Sequence, residues 1–504
     1  MKKTFTQSMA WLHTWGGLLA GWLLFAVFLT GTLAVFDQEI DHWMHPEVRD
    51  TPVPTAEAAE RGLAYLRQHH PEARAWTLNL PTERSPGLSV SAGERRHGGG
   101  VALDPATGEV LPQRDSAGGL FFFRFHFTLD LPRMLGIWVV GLLALGMLVA
   151  LLTGIVIHKK FFKEFFTFRP GKGQRSWLDA HNATAVLLLP FHLMIAYTGL
   201  AIFLLIYMPA ALESLFDGDV EAYFHAQSGT EEAHPPRGQT QPAPLAALAP
   251  MLAEAERKMG PVGGVVIRHP GRSDARVEVR RVLGNRIALT KGQNMVFDGV
   301  TGALLQAPPA MRASVLTHRV IMGLHFAQFG GYPMRWLYFL CGLGGCVMIA
   351  TGLLLYEVKQ RRQASPGMGA RLVAALNLAA VAGLGVACVG LLWANRLLPL
   401  ELAGRAQWEV RVFFLLWLAS LVHAVWRPGA RGWSEQLGCG AALCLGVPLL
   451  GWASGSGAGD FTRGMLEVTA VAIGLLLAGC AWRVQQPAAV RPARVRRPKA
   501  EVQG

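Results

Sequence analysis

The chain has 504 residues, of which 51% are hydrophobic and only 16% are charged. Soluble domains carry about 25% charged residues, so this composition argues against a purely soluble protein. It predicts an integral membrane protein with soluble insertions. The net charge is +13, but the basic residues cluster in short segments between apolar runs, as the positive-inside rule expects. The charge therefore gives no reason to expect a nucleic-acid partner, whereas a lipid bilayer is expected.

The first part of the chain begins with an apolar run behind Lys2 and Lys3, which place the N-terminus in the cytoplasm. The run is too long for a signal peptide and no small-residue cleavage site closes it, so we predict an uncleaved helix. The predicted segments are transmembrane helix 1 (1–36), a periplasmic helix-and-strand module (37–117), a pre-helix with transmembrane helix 2 (118–157) and a basic cytoplasmic loop (158–176).

The second part repeats this layout and then extends it. It comprises transmembrane helix 3 (177–207), a second periplasmic module (208–312), a pre-helix with transmembrane helix 4 (313–357), four further transmembrane helices (370–482) and a basic cytoplasmic tail (483–504). The predicted fold class is an all-α polytopic membrane protein with about eight transmembrane helices, a four-helix core and two small α+β periplasmic insertions.

Matching histidine and Thr-Gly positions indicate an internal duplication. His13 precedes Thr30-Gly31 by seventeen residues, and His181 precedes Thr198-Gly199 by the same interval. The other matches are His126 with Thr153-Gly154, His325 with Thr351-Gly352, and the acidic turns at 104–108 and 298–302. The duplication predicts a pseudo-twofold axis along the membrane normal. It places His13 and His181 at one depth near the cytoplasmic face, and His126 and His325 at another near the periplasmic face.

Two further histidines share spans or pre-helices with these four. His192 follows His181 by eleven residues, so on a straight helix both rings would point from nearly one face, about 16 Å apart. His318 precedes His325 by seven residues, within about 20° on one helix face. Ionisable side chains within a span are costly and usually functional.

Neutral imidazole is a strong ligand for haem iron, and the cores of helix bundles are where such sites are built. No CxxCH sequence occurs among the six cysteines, so c-type attachment is unsupported, whereas haem b requires no such motif. Zinc motifs such as HExxH are absent. A role as a hydrogen-bonding residue within a packed bundle explains any single one of these histidines equally well. Four histidines at two matched depths instead favour two bound haem b groups.

The stretches LHTWGGLLAG, HKKFFKEFFTFRPGKGQRSWLDAHN, LPFHLMIAYTGL and LHFAQFGG resemble the PepSY-associated transmembrane family over about residues 5–360. The resemblance implies an inner-membrane haem protein that reduces ferric siderophores in the periplasm, and hence an oxidoreductase. It implies haem ligands without giving their pairing: His13, His126, His181, His192, His318 and His325. The last four helices lie beyond the family pattern.

The electron donor is not visible in the sequence. No GxGxxG motif follows a predicted strand, so we expect a quinol or a cytoplasmic reductase rather than a nucleotide bound by this chain. Two other functions stay open at this point. One is a non-redox siderophore or metal permease. The other is a regulatory or assembly protein that acts through the two periplasmic modules, which look like divergent PepSY modules.

Overall fold

The computed structural model of the protein describes residues 4–93, 100–158, 169, 171, 173–223, 241–284, 286–308, 310–360, 367–455 and 460–486. Most of the predicted basic cytoplasmic loop (158–176) and most of the basic tail (483–504) lie outside the described residues.

Helices make up most of the described chain. In chain order they are α1 (Phe5–Ala34), α2 (Asp37–Met44), α3 (Thr55–His69), α4 (Leu120–Thr128), α5 (Arg133–Ile157), α6 (Gln174–Leu187), α7 (Leu189–Ile202), α8 (Leu204–Tyr207), α9 (Ala210–Phe216), α10 (Leu248–Met259), α11 (Ala313–Phe326), α12 (Gly331–Gln360), α13 (Met368–Leu378), α14 (Leu384–Leu397), α15 (Arg405–Trp426), α16 (Ala430–Ala453) and α17 (Phe461–Gln485).

The spans agree in number with the prediction. Helices α1, α5, α12, α15, α16 and α17 are each long and apolar enough to cross a membrane, as is the continuous α13–α14 stretch with its π-helical turn at Ala379–Gly383. The bent pair α6–α7 supplies an eighth candidate span among the described residues. The predicted all-α polytopic fold class is therefore confirmed.

The third span is not a straight helix, which corrects the expectation that His181 and His192 lie on one stripe. Helices α6 and α7 meet at an angle of 66° around Leu188. Pro190 in the first turn of α7 permits the bend, because proline lacks an N–H and its ring clashes with the carbonyl four residues earlier. The two histidines therefore belong to two differently directed helices.

Small residues allow the helices of the four-span core to approach closely. A Cβ atom built on Gly21 of α1 would lie 2.8 Å from Leu353 of α12. One built on Gly342 of α12 would overlap Thr32 of α1. Small residues at such crossings are typical of membrane bundles, where packing rather than water exclusion drives association.

The two soluble insertions form a single antiparallel sheet. Its strand order is β3-β2-β1-β4-β5-β6-β7. The strands are β1 (Ala75–Asn79), β2 (Leu88–Ala92), β3 (Val101–Leu103), β4 (Val262–Arg268), β5 (Arg276–Arg281), β6 (Met295–Asp298) and β7 (Leu304–Gln306). Strands β1 and β4, one from each insertion, pair over five residues with Thr77 opposite Val266. Helices α3 and α10 cover one face through a shared apolar core that includes Leu63, Trp76 and Phe297.

The last four spans are attached to the first insertion through a buried polar network. Arg405 and Glu409 of α15 form an ion pair of 2.5 Å with both side chains fully buried. Glu409 also accepts hydrogen bonds from Asn395 Nδ2 at 2.9 Å and from Ser116 Oγ at 2.9 Å. Ser116 belongs to the segment that leads into α4, so these helices brace the first insertion.

We predict that Arg405→Ala lowers the free energy of unfolding by about 3–5 kcal/mol, because it leaves the Glu409 carboxylate buried without its cation. Thermal unfolding of the detergent-solubilised full chain measures this. Lys258→Ala, in the exposed Lys258–Glu254 pair, is the matched control and should leave the midpoint unchanged. Equal, small effects of both variants would contradict the bracing role.

A candidate site of two histidine pairs

Four of the six candidate histidines form two pairs in the structure. The rings of His13 and His181 have centroids 6.2 Å apart and planes inclined at 72°; we call them the distal pair. The rings of His126 and His325 have centroids 6.0 Å apart and planes inclined at 33°. This second pair lies on the side of the sheet, and we call it the insertion-side pair.

Each paired imidazole is held through Nδ1 by a neighbouring helix. Nδ1 of His13 bonds the carbonyl oxygen of Ala150 at 2.9 Å, and Nδ1 of His126 bonds that of Val27 at 2.7 Å. Nδ1 of His181 bonds the Met348 carbonyl oxygen at 2.8 Å. A carbonyl oxygen can only accept, so Nδ1 carries the proton and Nε2 presents its lone pair.

The partners of these rings follow one local rule. Each carbonyl belongs to the residue three positions before the threonine of a Thr-Gly pair. His325 obeys it too, because it interacts with the Ile195 backbone and with Thr198 Oγ1 at 3.0 Å. Each threonine hydroxyl donates to the carbonyl four residues earlier on its own helix, at 2.7–2.8 Å; the threonines are Thr30, Thr153, Thr198 and Thr351.

The glycine of each Thr-Gly pair lies directly against a paired histidine. A Cβ atom on Gly31 would lie 2.5 Å from Nδ1 of His126, and one on Gly199 would lie 2.9 Å from Cε1 of His325. In the distal pair the closest approaches are 3.1 Å from Gly352 to His181 and 3.4 Å from Gly154 to His13. A side chain at Gly31 or Gly199 would therefore collide with the ring and one at Gly352 would be tight, whereas a methyl group at Gly154 would make an ordinary contact with His13.

This arrangement is chemically suited to a metal held by two opposed imidazoles. Histidine ligands usually donate their second N–H to a carbonyl, which fixes the ring and raises its basicity. Metal–nitrogen bonds of about 2.0–2.1 Å, plus roughly 1.1 Å from nitrogen to ring centre, would separate two opposed ring centres by about 6.3 Å. Within the described ranges, no cluster of three or more His, Cys, Asp or Glu side chains could hold a metal. A metal here would need its remaining ligands from elsewhere, and porphyrin nitrogens would supply them.

The other two candidates are placed differently. His192 is fully buried between aromatic rings, with its centroid 6.1 Å from that of Phe28 and 6.0 Å from that of Phe191. His318 is half-buried on α11, two turns before His325. Burial and the charge of Arg319 lower the pKa of His318, which keeps it neutral at pH 7. Neither ring belongs to the two pairs.

The helix that carries His325 is fixed by the second insertion, a connection that the sequence did not reveal. Arg319 Nη1 donates to the carbonyl oxygens of Leu289 and Lys291, both at 2.9 Å. At the other end of α11, the hydroxyl of Tyr338 donates to the Leu324 carbonyl at 2.7 Å. Arg319, which directly follows His318 in the sequence, is the one signal that could have indicated these contacts.

Comparison with known proteins agrees with the motifs. The family model described as the PepSY-associated TM region matches residues 10–359. The chain belongs to the PepSY-associated transmembrane family. An uncharacterized protein of Pseudomonas aeruginosa, PA4219, is 29% identical to this PepSY-associated protein over 382 residues, covering 71% of this chain and 92% of that one. All six candidate histidines lie within the family match, whereas most of the C-terminal four-span region lies beyond it.

We predict opposite effects of alanine at two glycines of α1. Gly31→Ala should destabilise the protein by about 1–3 kcal/mol, because the new methyl group collides with the His126 ring. At Gly16 the added methyl group would meet nothing within 4 Å, so Gly16→Ala should stabilise the helix by about 0.5–1 kcal/mol. Thermal unfolding in detergent measures both, and two shifts of the same sign would contradict the packing described.

Proposed function

We propose that this protein is an inner-membrane b-type haem protein that moves electrons across the membrane to reduce ferric siderophore in the periplasm, releasing iron. The observation that supports the proposal most directly is the presence of two imidazole pairs at two depths, each ring with its Nδ1 hydrogen-bonded. In this proposal His13 and His181 hold one haem, and His126 and His325 hold the other. When bound, haem iron supplies reversible one-electron transfer.

The chain itself provides rigid, neutral ligands. The hydrogen bonds through Nδ1 keep each ring in one orientation and leave Nε2 as the nitrogen that would bind a metal. The glycines of the Thr-Gly pairs let the rings lie close to the backbone of the neighbouring helices. Apolar side chains such as Leu24, Met147 and Leu353 belong to the buried core of the same bundle.

The two pairs lie on opposite sides of the core, which is what transmembrane electron transfer requires. On α1, His13 and the glycine that contacts His126 are eighteen residues apart, or about 27 Å at 1.5 Å per residue. The Lys2–Lys3 start and the basic segments support a cytoplasmic N-terminus and periplasmic insertions. The insertion-side pair would then face the periplasm, where the siderophore arrives.

The insertions are suited to position a bulky chelate next to the insertion-side pair. The second insertion is bonded directly to α11 through Arg319, and the first packs against α4, where a Cβ on Gly119 would overlap the backbone of Asp37. Both insertions therefore contact the helices that carry this pair. Siderophores hold Fe(II) far less tightly than Fe(III), so reduction at this site would release the iron. The donor in this proposal is a quinol or a cytoplasmic reductase.

Haem content tests the proposal directly. We expect the full chain, expressed with ample porphyrin precursor and purified in detergent, to contain two haems with a reducible Soret band. His13→Ala and His181→Ala should each remove one haem, and the double variant should remove no more than that one. His69→Ala, at an exposed histidine of α3, is the control and should keep both. A colourless wild-type protein would contradict the proposal and favour a permease or an assembly factor.

The direction of electron flow gives a second test. Proteoliposomes loaded with a reductant should reduce an external ferric hydroxamate siderophore, measured with an impermeant Fe(II)-specific chelator. Because electrons would have to pass through both pairs, His13→Ala and His126→Ala should each lower the rate of siderophore reduction at least about tenfold. Full activity in the His13→Ala protein would show that electrons do not cross through the distal pair.

A further inference from the structure

The structure leaves His192 as a buried imidazole without a hydrogen-bond partner in the described chain. Its side chain is fully buried, and neither Nδ1 nor Nε2 has a partner among the described residues. Burying such a group unpaired costs about 1–3 kcal/mol. Buried polar groups in native proteins nearly always have a partner, so His192 points to one outside the polypeptide.

The internal duplication shows that the fold does not need a histidine at this position. The alignment of Thr30 with Thr198 places Leu24 in the first half at the position of His192. The alignment of Thr153 with Thr351 places Met147 at the position of Gly345. Leu24 and Met147 are both buried in the apolar core. The second half therefore has an imidazole and a glycine where the first half has two large apolar side chains.

Gly345 and the distal pair place His192 next to one proposed haem site. A Cβ atom on Gly345 would lie 3.3 Å from Nε2 of His192, and one on Gly352 would lie 3.1 Å from the His181 ring. These glycines are seven residues apart, so they lie within about 20° on one face of α12, roughly 10 Å apart. His192 and His181 therefore lie against the same face of α12, about two turns apart.

We propose that His192 is a polar contact for the haem of the distal pair, where its N–H would donate a hydrogen bond to a propionate carboxylate, the acceptor at the edge of a b-type haem. This inference rests on the proposed function. Since the first half has leucine at this position, the contact exists once and makes the two haem sites electronically unequal. Hydrogen bonding and local polarity are the protein's means of tuning haem potentials.

The duplication supplies the test variants, His192→Leu and the triple variant His192→Leu/Gly345→Met/Phe28→Ala, which introduce the residues of the other half. The third change is needed because a Cβ on Gly345 would lie 2.5 Å from the Phe28 ring, and the residue aligned with Phe28 in the second half is Ala196. We expect both proteins to keep two low-spin haems per chain. The reduction equilibrium constant of one haem should fall by about 2- to 10-fold, the worth of one hydrogen bond, because the reduced haem loses a donor N–H. The equilibrium constant of the other haem should stay the same. The variant His192→Gln, which keeps an N–H donor, should show a smaller decrease than His192→Leu. Redox titration of the purified full chain, with electron paramagnetic resonance, measures this.

Two results would overturn the inference. Unchanged equilibrium constants for both haems would show that His192 is only a packing residue. Loss of one haem, or a new high-spin signal, would make His192 an axial ligand instead. If His192→Leu does not accumulate, the triple variant replaces it under the same criteria. A haem-free wild-type protein would instead refute the proposed function itself. The haem content of the wild-type protein, measured before any variant is made, therefore separates failure of the proposed function from failure of this inference.

Discussion

The structure of the candidate site depends on one kind of contact made by four histidines, in which Nδ1 of each ring is held by a Thr-Gly segment of a neighbouring helix. Nδ1 bonds the carbonyl three residues before the threonine at His13, His126 and His181, and the threonine hydroxyl itself at His325. The contact is possible because the glycine leaves room for the ring and the threonine hydroxyl turns back onto its own helix. It joins α1 to α5, α4 to α1, α6 to α12 and α11 to α7. The same contacts that orient the imidazoles therefore also hold the core helices together.

The histidine positions of the candidate site were predictable from the sequence, because the internal duplication repeats each weak histidine motif at a matching position. The spacing of His13 and His181 from their Thr-Gly pairs predicted matched depths, and the structure brings these two rings within contact. The four Thr-Gly positions were recognised as markers of the duplication, but their specific histidine partners were not predicted. Those partners lie more than ninety residues away in sequence, and no local pattern encodes such a distance.

Other features escaped prediction for identifiable physical reasons. Pro190 was visible, but proline in a membrane helix can be accommodated without a break because neighbouring groups re-satisfy the backbone, so the 66° bend depended on tertiary context. Periodicity predicts strands and not their partners, so the pairing of β1 with β4 could not be foreseen. The attachment of the last four spans through Glu409 depends on Ser116 and Asn395, polar residues that carry no signal individually.

The pairing of β1 with β4 restricts how the two halves can move. Transporters built from repeats alternate access by rocking one half against the other around a central site. Here each half contributes strands to one continuous sheet, and five residue pairs cross the boundary. Rocking would have to tear or strongly twist that ladder in every cycle. The architecture instead favours a static scaffold, in which the two halves keep a fixed separation.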